Sequence, residues 1–246
     1  MWQLNTEFRK EVLAGNAAAV TKQIEKEPSL VSAPLDNKNK TALHYAVTLD
    51  TLEVAESLIA KGADVNARDS DGITPLIVAC SNGKLKAADL LISKGSEVNY
   101  QTPITHPNSP QEGWVSIHLA ARKGHADIVK LLISKGAKID VRKADGWCPL
   151  HVAVAFCRFD TVKLLLSNGS SANTKNKYGF TVLMAAAYMR GSIEEEMKGY
   201  ANIAKLLLEN GANISDKDEN GKTALTLAME VENPHLVGVL QNWQKR

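Results

Sequence analysis

Between Gly113 and Asp140 the apolar residues fall into two short runs at helical spacing. The first is Ile117, Leu119, Ala120 and Ala121, the second Ile128, Val129, Leu131, Leu132 and Ile133, and Gly124 stands between them. The pattern predicts two helices joined by a tight turn. Isolated helices shorter than about 12 to 15 residues are marginal in water, so each of these must bury its apolar face on a neighbour. Weaker copies of the pattern on both sides supply those neighbours. Leu4 to Ala14 and Ala17 to Lys26 form one pair, broken at Gly15-Asn16 and stopped by Pro28. The outer helices recur as EVAESLIAKG and KAADLLISKG, and Gly62, Gly95, Gly136, Gly169 and Gly211 end them as C-prime stops. Gly15, Asp50, Gly83, Gly124, Cys157, Arg190 and Glu232 fall at the turns between paired helices, which gives seven units.

Gly72, Gly113, Gly146, Gly179 and Gly221 open successive copies at steps of 41, 33, 33 and 42, and Asn39 holds the same slot 33 residues before Gly72. A dominant period of 33, with TPLI at Thr74 to Ile77, SIHLA at Ser116 to Ala120 and CPLHVA at Cys148 to Ala153, resembles the ankyrin repeat and its T-P-L-H-x-A signature. The resemblance covers nearly the whole chain. It implies an all-α repeat fold, an ankyrin-repeat solenoid of stacked helix-turn-helix pairs with β-hairpin fingers. The expected units are a divergent N-terminal cap at 1–35, internal repeats at 36–68, 69–101, 102–142, 143–175 and 176–217, and a C-terminal cap at 218–246. A cap needs a polar outer face because it has one neighbour only. Arg9, Lys10, Lys22, Glu25 and Lys26 suit the first and Gln241 to Arg246 the last, while Trp2 and Trp243 are expected to cover the ends of the core.

Two insertions interrupt the period. The connection from Asn99 to Gly113 is longer than its counterpart from Asn66 to Gly72 and contains Pro103, Pro107 and Pro110. Proline stiffens this loop and blocks strand pairing, which leaves a tolerated insertion or a partner-contacting loop as its two readings. After Arg190, GSIEEEMKGYANIAKLLLENG precedes and includes the usual outer helix. Ser192 and Glu195 match a capping box, and Ile193, Met197, Tyr200 and Ala204 share one helical face, so this outer helix is expected to start early. Glu194 to Glu196 favour a helix N-terminus.

Charge and composition narrow the function classes. With 29 basic and 27 acidic residues the net charge is +2, which favours neither nucleic acid nor membrane. No N-terminal apolar run marks a secretory signal and no stretch is long enough to span a bilayer, so a cytoplasmic or nuclear compartment is expected. Cys80, Cys148 and Cys157 are odd in number and fit repeat slots, as reduced thiols do.

Several motifs resemble chemistry without completing it. Gly221-Lys222-Thr223 ends like a phosphate loop, but Asp216 stands where its first glycine must be. Asp216, Asp218, Asn220 and Gly221 match half an EF-hand loop, yet Leu227 replaces the closing glutamate. His44, His118 and His151 share the signature slot, and the ankyrin resemblance makes them structural; their spacing by whole repeats is too wide for one metal, whose nitrogen ligands lie at about 2.0 to 2.1 Å. No catalytic motif is present, so neither an enzyme nor a cofactor or metal is expected. Asn66 and Asn99 lie in a context that resembles ankyrin asparagines that can be hydroxylated.

The resemblance assigns partner recognition to a concave face lined by finger tips and inner helices. The residue after the opening glycine is Trp114, Trp147 and Phe180 in consecutive copies, and Tyr178 lies beside the last. The far ends of the inner helices supply Arg122 and Lys123, then Phe156, then Tyr188 and Met189. Exposed Trp, Tyr and Arg are what interface hot spots are made of. The expectation is a monomeric, non-catalytic module that binds a protein partner in the concave groove of repeats three to five. A proteasome-assembly-type chaperone or regulatory inhibitor is the alternative. Nucleic-acid binding through basic finger residues such as Arg68, Arg142, Lys143, Lys175, Lys177 and Lys217 ranks last.

Overall fold

Threonine starts the inner helices because its hydroxyl satisfies an amide that the first turn leaves orphaned. Thr74 accepts from the Ile77 amide at 3.3 Å, Thr181 from Met184 at 3.1 Å and Thr223 from Thr226 at 3.3 Å. Pro75 and Pro149 occupy the first helical position, where no intrahelical amide is lost. The computed structural model describes residues 6–103, 113–189, 191 and 193–245. Trp2, Pro107, Pro110, Arg190 and Ser192, each of which carries one of the expectations above, lie outside the described residues.

Fourteen α-helices run through the described residues: α1 (Thr6–Leu13), α2 (Ala17–Lys26), α3 (Ala42–Ala46), α4 (Glu53–Ala60), α5 (Pro75–Ser81), α6 (Leu85–Ser93), α7 (Ser116–Lys123), α8 (Ala126–Ser134), α9 (Pro149–Ala155), α10 (Phe159–Ser167), α11 (Val182–Tyr188), α12 (Glu194–Glu209), α13 (Ala224–Glu230) and α14 (Pro234–Gln244). A short 3-10 turn, Pro28–Val31, follows α2. Strand structure among the described residues is a single bridge between Lys175 and Thr181. The fingers are instead tight turns, each closed by backbone bonds such as Asp69 N–H to Ile73 O at 3.0 Å and Asn176 N–H to Phe180 O at 3.0 Å.

The chain divides into two compact units, Met1–Leu119 with Ser134–Ala137, and Ala120–Ile133 with Lys138–Arg246. In the first, α1 packs on α2 and α3, α2 on α4, and α3 on α5. The core there includes Phe8, Leu43, Leu58, Leu76 and Leu91, all fully buried. In the second, α9, α11 and α13 form an inner layer and α10, α12 and α14 an outer one, each helix packing on the next of its own layer. Leu150, Leu165, Leu183, Leu207 and Leu236, from both layers, are fully buried. Asparagine side chains tie consecutive turns together: Asn66 donates to Gly95 O at 3.2 Å in the first unit, and Asn173 to Gly211 O at 2.8 Å in the second.

Most of the described turns between paired helices hold a left-handed residue, Asp50 between α3 and α4 being an exception. Glycine supplies it at Gly124, with φ +81, but Cys157 and Glu232 adopt φ +53 and +55 in the same slot. The second insertion lengthens α12 to 16 residues, against nine in α6, α8 and α10. Its N-cap is Ile193, which makes no side-chain cap, so the expected start at Ser192 shifts by one residue. Tyr200 and Ala204 are buried as the shared face predicts, whereas Ile193 is 59% exposed. No helix among the described residues is long and apolar enough to cross a membrane.

Candidate functional site

Asp or Asn three residues before the opening slot shapes most fingers. Asp36, Asp69, Asn176 and Asp218 each accept two backbone amides, two and four residues on, at 2.8 to 2.9 Å. The finger that carries Trp147 has Lys143 in that place. It is held differently: Asp145 accepts from the Trp147 amide at 3.0 Å and pairs with Lys143 Nζ at 2.8 Å. Arg142 donates to Gly146 O of its own finger at 3.0 Å and crosses to the next, donating to Lys175 O at 2.6 Å.

The structure sorts the expected contact residues into three groups. Trp114 is 6% exposed and packs edge-on against His118 at 5.8 Å, while its backbone pairs with Thr102, so its indole is core. The exposed aromatic anchor expected there is corrected: the same slot that leaves a ring partly open in the later fingers is enclosed in this one. Trp147, Tyr178, Phe180 and Tyr188 form the second group, all in the second unit. Trp147 is half-buried and lies 5.6 Å from the His151 ring. Phe180 meets Tyr188 edge-to-face at 5.8 Å, and Tyr178 and Tyr188 are 51% and 57% exposed. In the following repeat the equivalent pair of positions holds an ion pair, Lys222 with Glu230 at 2.7 Å.

The third group lies at the turn between α9 and α10. Phe156 is 40% exposed, with the Arg122 guanidinium 4.8 Å above its ring. Arg158 donates to Arg122 O at 3.0 Å. Lys123 is exposed at the end of α7, and Met189 is half-buried as the C-cap of α11. Here the inserted start of α12 comes close. Phe156, Cys157 and Arg158 face Ile193, Glu195 and Glu196 across an open cleft of about 460 Å³. Tyr200 lies at its base, donating to Ala155 O at 3.0 Å, and burial pushes its phenol up to about 12. This cleft had no signal in the sequence beyond the insertion itself.

The basic finger residues are largely engaged within the chain. Lys175 pairs with Asp216 at 3.0 Å, and Lys177 donates to Ala144 O at 3.3 Å with its ammonium 5.2 Å from the Tyr178 ring. Arg68 lies 4.2 Å over Tyr100. The signature histidines act as struts. His44 Nε2 lies 2.9 Å from Ile73 O, and His151 Nε2 3.2 Å from Phe180 O with its Nδ1 3.1 Å from Cys148 Sγ. Asp216 and Asp218 of the EF-hand-like stretch are taken up by Lys175 and by finger amides. Asn66 has its amide on Gly95 and its carbonyl oxygen on the Glu97 amide. All three cysteines are free.

A repeating helix pair, histidine struts between consecutive fingers and asparagine ties define an ankyrin stack. The chain belongs to the ankyrin-repeat family: the model described as "Ankyrin repeats (3 copies)" matches residues 11–102, 103–176 and 158–244. The fold matches the human ASB11 ankyrin repeat domain at a TM-score of 0.79, with 25% identity over 96% of each chain. NF-kappa-B inhibitor alpha of Homo sapiens is 33% identical over 108 residues, which are 44% of this chain and 33% of that protein. Tyrosine-protein kinase HTK16 of Hydra vulgaris is 34% identical over 105 residues, 43% of this chain and 13% of that one. The matches thus span a third or less of these relatives' length. Ankyrin repeats generally mediate protein-protein interaction and are typically non-catalytic.

Proposed function

We propose that this chain is a non-catalytic module that binds a partner protein on the aromatic face of its second unit, built by Trp147, Tyr178, Phe180 and Tyr188. The exposed Tyr178 and Tyr188, at 51% and 57%, carry the reading. Tyrosine offers large, amphipathic contact area at a small cost in conformational entropy, which is why it recurs at hot spots. The Phe180–Tyr188 edge-to-face pair fixes one of these rings before any partner arrives, and a preorganised anchor loses less entropy on binding. Arg122, Lys123, Phe156 and Met189 lie in the same unit and extend the surface towards the turn end of the inner helices. Trp114 contributes as core.

Affinity purification with mass spectrometry, comparing the wild type with Tyr178→Ala/Tyr188→Ala, tests this. A partner retained by the wild type and lost from the variant supports it; an unchanged partner set defeats it. A regulatory inhibitor is the second reading, favoured by the match to a relative named as an inhibitor of NF-kappa-B. It would use the same face to cover a partner's surface, and an activity assay on the captured partner separates the two. Nucleic-acid binding is disfavoured because Arg142 and Lys175 are already spent on neighbouring fingers and on Asp216.

A further inference from the structure

On the inner helices, the slots covered by the following repeat stand seven and three residues before the turn between paired helices. They hold Leu76 and Cys80 in α5, Leu150 and Val154 in α9, and Leu183 and Ala187 in α11, each no more than 1% exposed. The next helix pair supplies the cover: α9 packs on α11 and α11 on α13, and Cys80 is hydrogen-bonded to the Ser116 side chain at the start of α7. On the outer helices the slot five residues after the turn behaves alike, with Ala55, Ala88, Val129 and Val162 fully buried. The last pair, α13 and α14, keeps the apolar residues without the cover. Leu225 and Val237 are half-buried and Met229 is 49% exposed. Gln241 and Asn242 supply polar surface of the kind a cap needs, but at other slots of α14.

The first pair is closed instead. Slots that face the preceding repeat, eight and four residues before the turn, are small, as Pro149 and Ala153 in α9 and Ala224 and Ala228 in α13. In α1 they hold Glu7 and Glu11. Setting α1 of one copy on α13 of another would bury both carboxylates against Leu225 and Met229, and the surface pairing of Glu7 with Lys10 at 3.9 Å would only add a second charge to desolvate. Head-to-tail joining of copies is thereby blocked. The last pair meets no such obstacle with its own likeness. Its three open slots are uncharged, and the flanking Lys222 and Glu230 neutralise each other at 2.7 Å, so a second copy of the patch brings no like charges together. The flexible thioether of Met229 adapts to an irregular partner surface.

We propose that α13 and α14 form a self-association face, on which a second copy of this chain docks tail to tail about a two-fold axis. Leu225, Met229 and Val237 of each copy cover those of the other, as the next repeat covers their counterparts inside the stack. Sedimentation velocity of the full chain tests this. Between about 1 and 100 µM the mass is expected to rise from that of one chain towards that of two and to stop there, the range that suits a small interface. Met229→Lys, at a half-exposed position, holds the mass at one chain with helical content unchanged. Met229→Leu, which keeps the slot apolar, and Tyr178→Ala/Tyr188→Ala both keep the doubling. The proposal is overturned if the mass stays at one chain throughout, if it grows beyond two, or if Met229→Lys still doubles. Loss of doubling in Met229→Leu overturns it too, and loss in the double tyrosine variant would move the association to the aromatic face.

Discussion

His151 makes the joint between α9 and the following finger sensitive to acid. Its ring is fully buried, with Nε2 at Phe180 O and Nδ1 at Cys148 Sγ, and burial is the largest cause that lowers its pKa from 6.5 to about 4. In the unfolded chain the imidazole takes a proton near 6.5, so the unfolded state binds more protons than the folded one below that pH. The stability that rests on neutral His151 is therefore complete above about pH 7 and is lost as the pH falls towards 4. At about 1.36 kcal/mol per pH unit, acidification from pH 7 to pH 5 removes about 2 kcal/mol through this one group. His44, also lowered chiefly by burial, adds in the same direction. His151→Asn starts less stable at pH 7 but cannot take the proton, so its stability declines by about 2 kcal/mol less than that of the wild type over this interval. Urea titrations at pH 7 and pH 5, followed by tryptophan fluorescence and far-UV circular dichroism, measure the difference. Equal losses in wild type and variant would refute the strut as drawn.

Two further perturbations test the packing that positions the site. Gly146 and Gly169 both have positive φ, at +85 and +97, but a Cβ at Gly146 would stand 2.7 Å from the Lys177 amide nitrogen while one at Gly169 meets nothing within 4 Å. Gly146→Ala is thus expected to lose about 2 kcal/mol more than Gly169→Ala, because only the first adds a backbone clash to the shared strain, and chemical denaturation of the pair reads the difference. Tyr200→Phe leaves Ala155 O without its partner and is expected to cost about 1 to 3 kcal/mol, with faster hydrogen exchange in the first turns of α12 if that bond seats the insertion.

Features encoded by local backbone demand were legible in the sequence. The turn slot was placed at Cys157 and Glu232, and both take the left-handed conformation there although neither is glycine. The early start of α12 followed from its apolar spacing, with Tyr200 and Ala204 buried. What surrounds a ring is not local, and there the reading failed. Trp114 and Trp147 share a slot and a residue type, yet one is enclosed and the other half-open. The basic fingers offered nucleic acid as a last-ranked ligand, but Lys175 finds Asp216, which lies beyond the second insertion. The cleft arises because the α9–α10 turn and the α12 extension, remote in sequence, meet in space. Since Trp114 is core, replacing it by alanine would disturb folding as well as any interface, and the exposed tyrosines are the cleaner probes.

The decisive measurement is site-specific photocrosslinking. Benzoylphenylalanine is placed at Tyr188 on the aromatic face and, in a separate protein, at the exposed Ser167 at the end of outer helix α10. A partner bound as proposed crosslinks from position 188 and not from position 167. Crosslinking from 167 alone, or from neither position while the partner still co-purifies, would contradict the assignment of the binding face.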